Sequence, residues 1–256
     1  MGQERRVTTL TNGVSISVSH LSKRYDGKTI LDGVSLSVQP GQTVCLIGPS
    51  GGGKSTLLRC VNGLNTFDTG TITVGKHCLK ANHTEELDAV RRTVGMVFQD
   101  FRLFPHKSAI ENVMEAPVQV LKMDKAKAKD QAAKLLSDVG LADRMHHRPN
   151  QLSGGQQQRV AIARALAMNP HALLCDEITS ALDPERKHDV LDVLERLQEQ
   201  GLTILMVTHE IGFARKAADH VVVLADGKNI EEGTPAEVLD HPKTDRCRQF
   251  LAKVLG

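Results

Sequence analysis

Residues Gly48 to Thr56 read GPSGGGKST and put two glycines, a lysine and a hydroxyl at the spacing G-x-x-x-x-G-K-[ST]. This combination suits the holding of a phosphate chain. Glycines let the backbone bend so that several N–H groups converge on an anion, and the positive end of a following helix adds attraction. Gly48, Pro49, Ser50, Gly51, Gly52 and Gly53 would form the cradle, with Thr56 entering the helix. Lys54 would reach the β and γ phosphates of a nucleoside triphosphate, ATP being the common one, and Ser55 would offer its hydroxyl to Mg²⁺. A flexible linker can carry the same residue types. It has no reason, however, to sit between a buried β-branched run, Thr43 to Ile47, and an amphipathic helix opening at Thr56.

Two further constellations carry chemistry. The run Ala172-Leu173-Leu174-Cys175 ends in Asp176 and Glu177. An apolar strand delivers such acids to its carboxyl end, where open α/β sheets bind ligands. Asp176 suits the Mg²⁺ shell that Ser55 completes, and Glu177 suits the polarising of a water and the acceptance of its proton. Paired acids at a strand end can be no more than a solvated turn; the phosphate loop in the same chain favours the catalytic reading. The third constellation, Ser153, Gly154, Gly155 and Gln156, opens a strongly helical stretch that runs to Asn169-Pro170. A hydroxyl and exposed backbone donors at a helix start make a second anion site, although alone they are only a good cap. Only the first site has the lysine, so a head-to-tail dimer that sandwiches nucleotide would use both.

The elements that must position these residues differ along the chain. Val14 to Val18, Val34 to Val38 and Thr71 to Val74 alternate apolar and polar residues, with turns expected at Asp26-Gly27, Asp32-Gly33 and Pro40-Gly41. That is the period of half-exposed antiparallel strands. Residues 171–176, 203–208 and 221–224 are short continuous apolar runs, as parallel strands covered on both faces require. The helical pattern from Glu185 to Gln200 stops at Gly201. Between Phe104 and Leu152 helix formers dominate, which points to a helical insertion ending its main run at Gly140.

The chain has 256 residues, long enough for a full α/β core, and a formal charge of +2 from 32 basic and 30 acidic residues. Such a balance gives no global field toward nucleic acid or an anionic membrane. Lys122, Lys125, Lys127 and Lys129 alternate with other residues on what reads as a solvated helix face. The five cysteines form no C-x-x-C pair and read as small buried hydrophobes of a reducing compartment. A basic-then-apolar leader is missing from the start, and every apolar run is short of the roughly 18 to 20 residues that span a bilayer. A cytoplasmic location is expected.

GPSGGGKST, LSGGQQQR and CDEITSALDP together resemble the ATP-binding cassette ATPases, the motor subunits of membrane transporters, over essentially the whole chain. The resemblance implies a single P-loop NTPase domain of α/β class over 1–256, with a mainly parallel sheet. A nucleotide-binding core with an antiparallel β subdomain would occupy about 14–98 and 160–240, and a helical subdomain about 100–159. It implies that Tyr25 stacks on adenine, although a strand aromatic packed on the core would read the same. It also gives Gln99 contact with Mg²⁺ and the attacking water, His209 a hold on the γ phosphate, and Asp183 a loop that speaks across the dimer. Two positions depart from the family pattern: Ile178 replaces a usual proline after Glu177, and Gly52 a common serine. The first puts the rigidity of the Glu177 loop in question, since proline would fix φ.

A finer resemblance, in residues 209–235 and Glu111-Asn112-Val113, is to the ATPase subunits of bacterial polar amino acid uptake systems. These imply an ATP hydrolase on the cytoplasmic face of the plasma membrane that drives integral permease subunits and, through them, works with a substrate-binding protein. The docking surface would be Gln99 to Glu115, with Phe101, Leu103 and Phe104 exposed, unless those three form a local buried cluster. Weaker readings are an ATPase of another transporter type, a soluble cassette acting on nucleic acid or ribosomes, and a nucleotide-binding module without turnover. Glu177 and His209 argue against the last.

Overall fold

The computed structural model describes residues 13–81 and 85–255. Side-chain alternation separates two kinds of sheet. Strands β1 (Ile16–Tyr25), β2 (Lys28–Val38), β4 (Thr69–Val74) and β5 (His77–Lys80) form an antiparallel sheet in the order β2-β1-β4-β5. One face is apolar, with Ile16, Val18, Leu36, Val38, Ile72 and Val74 buried, and the other is polar. Asp26 and Gly27, with φ of 48° and 80°, close the β1–β2 hairpin. The turn expected at Asp32-Gly33 is instead a bulge inside β2. Gly33 takes φ 65°, its N–H donates to Ser22 Oγ at 3.0 Å, and the register shifts between the pairs Leu21–Val34 and Lys23–Leu31. A left-handed glycine serves a bulge as readily as a turn, so the dipeptide alone cannot tell them apart.

The second sheet holds β3 (Thr43–Ile47), β6 (Val94–Val97), β7 (Ala172–Asp176), β8 (Thr203–Val207), β9 (His220–Ala225) and β10 (Lys228–Gly233). Its order is β10-β9-β3-β8-β7-β6; all neighbours are parallel except the antiparallel edge strand β10. The continuous apolar runs are explained by two cores, one on each face. Val44 and Leu46 of β3 join the core shared with the antiparallel sheet, while Cys45 and Ile47 point into the helical layer. Burial pushes the Cys45 and Cys60 thiols up to about 12, so both stay protonated at neutral pH. Cys175 and Cys247 are buried as well, and Cys78 half-buried.

The helices are α1 (Lys54–Val61), α2 (Leu87–Thr93), α3 (Ala109–Gln119), α4 (Lys125–Asp138), α5 (Gly154–Leu166), α6 (Pro184–Glu199), α7 (Ile211–Ala217) and α8 (Asp245–Leu255). Helix α1 begins two residues earlier than its apolar pattern suggested, at Lys54. It packs Leu57 and Leu58 into the core between the two sheets, and both are fully buried. Leu57→Ala should therefore lower unfolding free energy by about 2–5 kcal/mol in a urea titration, through lost burial and the cavity left.

Between β6 and α5 lie α3, α4 and two 3₁₀ turns, Ala142–Arg144 and Pro149–Gln151. Ser108 and Glu111 form a reciprocal capping box at α3, and Asp124 caps α4 through the N–H groups of Ala126 and Lys127. Lys122, Lys125, Lys127 and Lys129 are all exposed. Phe101 and Leu103 correct an expectation: they are half-buried against the helical core, and of that trio only Phe104, 40 % accessible, is exposed. Among the described residues no helix is long and apolar enough to cross a membrane.

Candidate active site

The carboxyl ends of β3, β8, β7 and β6 converge, and each is followed by a candidate residue. After β3 comes the glycine-rich loop, where close contacts or a left-handed backbone favour glycine at four positions. Gly48 has φ 139°, and a Cβ there would stand 2.1 Å from the Leu224 carbonyl oxygen. A Cβ on Gly53 (φ 98°) would stand 2.8 Å from the Ile30 carbonyl oxygen. Gly52 is also at home: a Cβ would meet the Leu224 oxygen at 2.7 Å, and its N–H donates to Pro49 O at 3.2 Å. Gly51, with φ 77°, has open space beside it. Pro49 and Ser50 complete the loop, and Thr56 lies in the first turn of α1.

Lys54 lies at the start of α1 and is only 4 % exposed. Its ammonium donates to the carbonyls of Gly48 and Pro49, both at 2.9 Å, which holds the cation inside the curve of the loop. Burial pushes its pKa down, opposed by the carboxylates of Glu177 and Asp176. One residue on, the Ser55 hydroxyl donates to Asp176 Oδ1 at 2.6 Å, joining the start of α1 to the end of β7. Such hard oxygens suit Mg²⁺, which needs only one or two protein ligands and keeps most of its shell as water. Arg59 grips the other oxygen of Asp176 at 3.1 Å. Sequence reasoning missed Arg59, although it stands four residues after Ser55 and so on the same helix face.

Glu177 has φ 49°, a left-handed conformation rare outside glycine. Its N–H donates to Val207 O at 3.0 Å, and its carbonyl accepts from Ser180 N–H and the Ser180 hydroxyl at 3.1 and 2.8 Å. Ile178 buries its side chain to 2 % exposure in the helical core, so packing anchors this loop where proline is usual. Across the cleft, His209 follows β8 and its Nε2 lies 3.1 Å from Glu177 Oε1. The histidine loop is itself braced: Glu210 N–H donates to Thr208 Oγ1 at 2.9 Å, and Lys187 of α6 pairs with Glu210 at 2.6 Å. Neither brace was visible in the sequence.

The remaining candidates lie further out. Gln99 is exposed two residues beyond β6, next to the β7 end. Tyr25 ends β1, 43 % accessible, with Lys23 Nζ 4.8 Å from its ring centroid; it is not a core aromatic. Asp183 is exposed just before α6. Ser153 and Gln156 form a capping box in which Gln156 Oε1 accepts the Ser153 N–H at 3.0 Å, so that side chain is spent on the helix start. Helices α1 and α5 pack into different cores, on opposite faces of the parallel sheet. The structure brings together Lys54, Ser55, Asp176, Glu177 and His209, and leaves the Ser153 cap in the other core's layer.

A glycine-rich loop between a parallel strand and a helix, facing two acids at the end of the next strand but one in the sheet, defines a P-loop nucleotide-binding protein. The sequence profile of the ABC transporter family matches residues 31–180. The glutamate/aspartate import ATP-binding protein GltL of Escherichia coli (strain K12) is 50% identical over 240 residues, covering 94% of this chain and 99% of that protein. The glutamine transport ATP-binding protein GlnQ of Bacillus subtilis (strain 168) is 47% identical over 241 residues, covering 94% and 99%. Among solved structures, a dimeric post-hydrolysis state of the ATP-binding cassette MJ0796 bound to ADP and Pi superposes with a TM-score of 0.78. It is 35% identical, covering 86% of this chain and 98% of that one. This chain belongs to the ABC transporter family, and it is an ATP-binding ATPase coupled to transport.

Proposed function

We propose that the chain is the ATP-hydrolysing subunit of an importer for polar amino acids, acting at the cytoplasmic face of the plasma membrane with a second copy of itself and integral permease subunits. The observation that carries the hydrolysis is the convergence of Ser55, Asp176, Glu177 and His209 at the ends of β7 and β8. In this reading 1–256 works as one domain, with the helical part between β6 and α5 as its coupling arm. Tyr25 stacks on adenine, residues 48–56 cradle the phosphates and Lys54 neutralises their charge. Ser55, Asp176 and Gln99 would hold Mg²⁺, which would supply positive charge against the phosphates. Glu177 accepts the proton of the attacking water as its oxygen bonds to the γ phosphorus and the bond to the bridging oxygen breaks. His209 orients Glu177 and donates to the γ phosphate.

Helices α1 and α5 serve opposite faces of the sheet, which supports a head-to-tail pair in which Ser153, Gly154, Gly155 and Gln156 of one copy close over the nucleotide of the other. Asp183 would contact the partner beside them. A groove of about 400 Å³ between the two layers, floored by Met96, Phe98, Phe104, Val120 and Met168, suits an apolar helix end from a permease loop. Near-neutral charge and the solvated lysine face of α4 support no nucleic-acid role.

The cargo reading rests on relatives named for glutamine and for glutamate/aspartate. Its test is to co-purify the membrane partner, reconstitute it, and measure ATP hydrolysis with candidate binding proteins and amino acids. Stimulation of severalfold by a polar amino acid is expected. Stimulation by a lipid or a drug alone would overturn the import assignment.

A further inference from the structure

Helix α5 touches the loop after β6 at three places. Near its start, a Cβ on Gly154 would stand 3.6 Å from Phe101 Cζ, so the phenyl ring lies against the opening turn. One turn later the wholly buried Gln158 donates from Nε2 to Phe98 O at 3.3 Å. In the last turn Arg164 donates from Nη1 to Arg102 O at 2.5 Å and from Nη2 to Phe101 O at 3.0 Å. Exposed Gln99 sits between these fixed points. Phe101 and Arg102 are consecutive left-handed residues, with φ of 57° and 47°. Such conformations persist only where the surroundings over-determine them, and Arg164 bonds the carbonyls of those same two residues. Arg102 closes the loop on itself, its guanidinium carbon 4.2 Å from the Phe98 ring centroid and its Nε 3.1 Å from Asp100.

We infer that Arg164 and Gln158 are positioning residues that hold the loop so that Gln99 faces the cleft, and that they act on hydrolysis through Gln99. The inference rests on the reading that Gln99 works in the active site. Because α5 also opens with the Ser153 cap, one rigid helix spans the cap and the Gln99 loop. Arg164 and Phe98 additionally line the groove between the layers.

The test is a double-mutant cycle on the full chain, with kcat and KM for ATP measured for Arg164→Met, Gln158→Leu, Gln99→Ala and each combination with Gln99→Ala. A displaced loop should lower kcat about ten- to a hundredfold in Arg164→Met, since misplacement by about 1 Å carries penalties of that size. KM should stay within about twofold, because the phosphate loop and Tyr25 belong to other elements. Arg164→Lys, able to serve one carbonyl, should recover part of the loss. In the Gln99→Ala background neither substitution should lower kcat further. Should Arg164→Met fail to fold, Gln158→Leu keeps the volume, removes a single donor and supports the same cycle. Equal penalties with and without Gln99, or wild-type kcat in both single variants, would overturn the inference. Wild-type turnover in Gln99→Ala would instead sink the role of Gln99 itself.

Discussion

Replacing Glu177 by Gln should lower kcat about 10³-fold, within the range a general base supplies, and leave MgATP binding and ATP-driven dimerisation intact. The carboxamide keeps the shape of the carboxylate and an oxygen that can still accept from His209 Nε2, now 3.1 Å away. The left-handed backbone at Glu177 is held by Val207 O and Ser180, neither of which touches the side chain's charge. What disappears is the capacity to take a proton from water. Single-turnover hydrolysis and size-exclusion chromatography with and without MgATP separate the effects: a slow enzyme that still dimerises is expected. Undiminished turnover would remove Glu177 from its assigned role.

Lys54→Met should weaken ATP binding about 10²- to 10³-fold, because contacts of one ammonium with two phosphates are each worth about 1.5–3 kcal/mol, part of which water recovers. The same substitution leaves the carbonyls of Gly48 and Pro49 without their shared donor, so a modest loss of stability is expected as well. Thermal unfolding distinguishes the two: the free protein should melt slightly lower, whereas the rise in Tm produced by saturating ATP should vanish. A retained ATP-induced rise would mean that the loop amides and the helix dipole bind the phosphates without the lysine.

These two results probe a site that was legible before any fold was known. The spacing of Gly48, Gly53, Lys54 and Ser55 is a local property, since contiguous residues build the cradle and its flanking strand and helix. The same holds for Asp176 and Glu177, which an apolar run must deliver to a strand end. Composition and periodicity likewise separated antiparallel from parallel strands, because burial on one face or on two leaves different patterns along the chain.

Only tertiary structure could decide which residues meet across the sheet. Ser55 and Asp176 are 121 positions apart and bond at 2.6 Å because β3 and β7 flank β8. Arg59, Lys187, Gln158 and Arg164 escaped the sequence reading for the same reason. Each is an ordinary polar residue on a helix, and its partner is fixed by packing rather than by spacing. Asp32-Gly33 and the pair Phe101 and Leu103 show the converse failure, where a correct local signal had its outcome set by neighbours: a bulge in place of a turn, a half-buried contact in place of an exposed one. The amino-acid sequence alone determined that the chain grips a triphosphate and where the acids stand. The packed sheets decided which groups share a proton, a cation or a loop, because hydrogen bonds and ion pairs act over a few ångströms that only the fold can close.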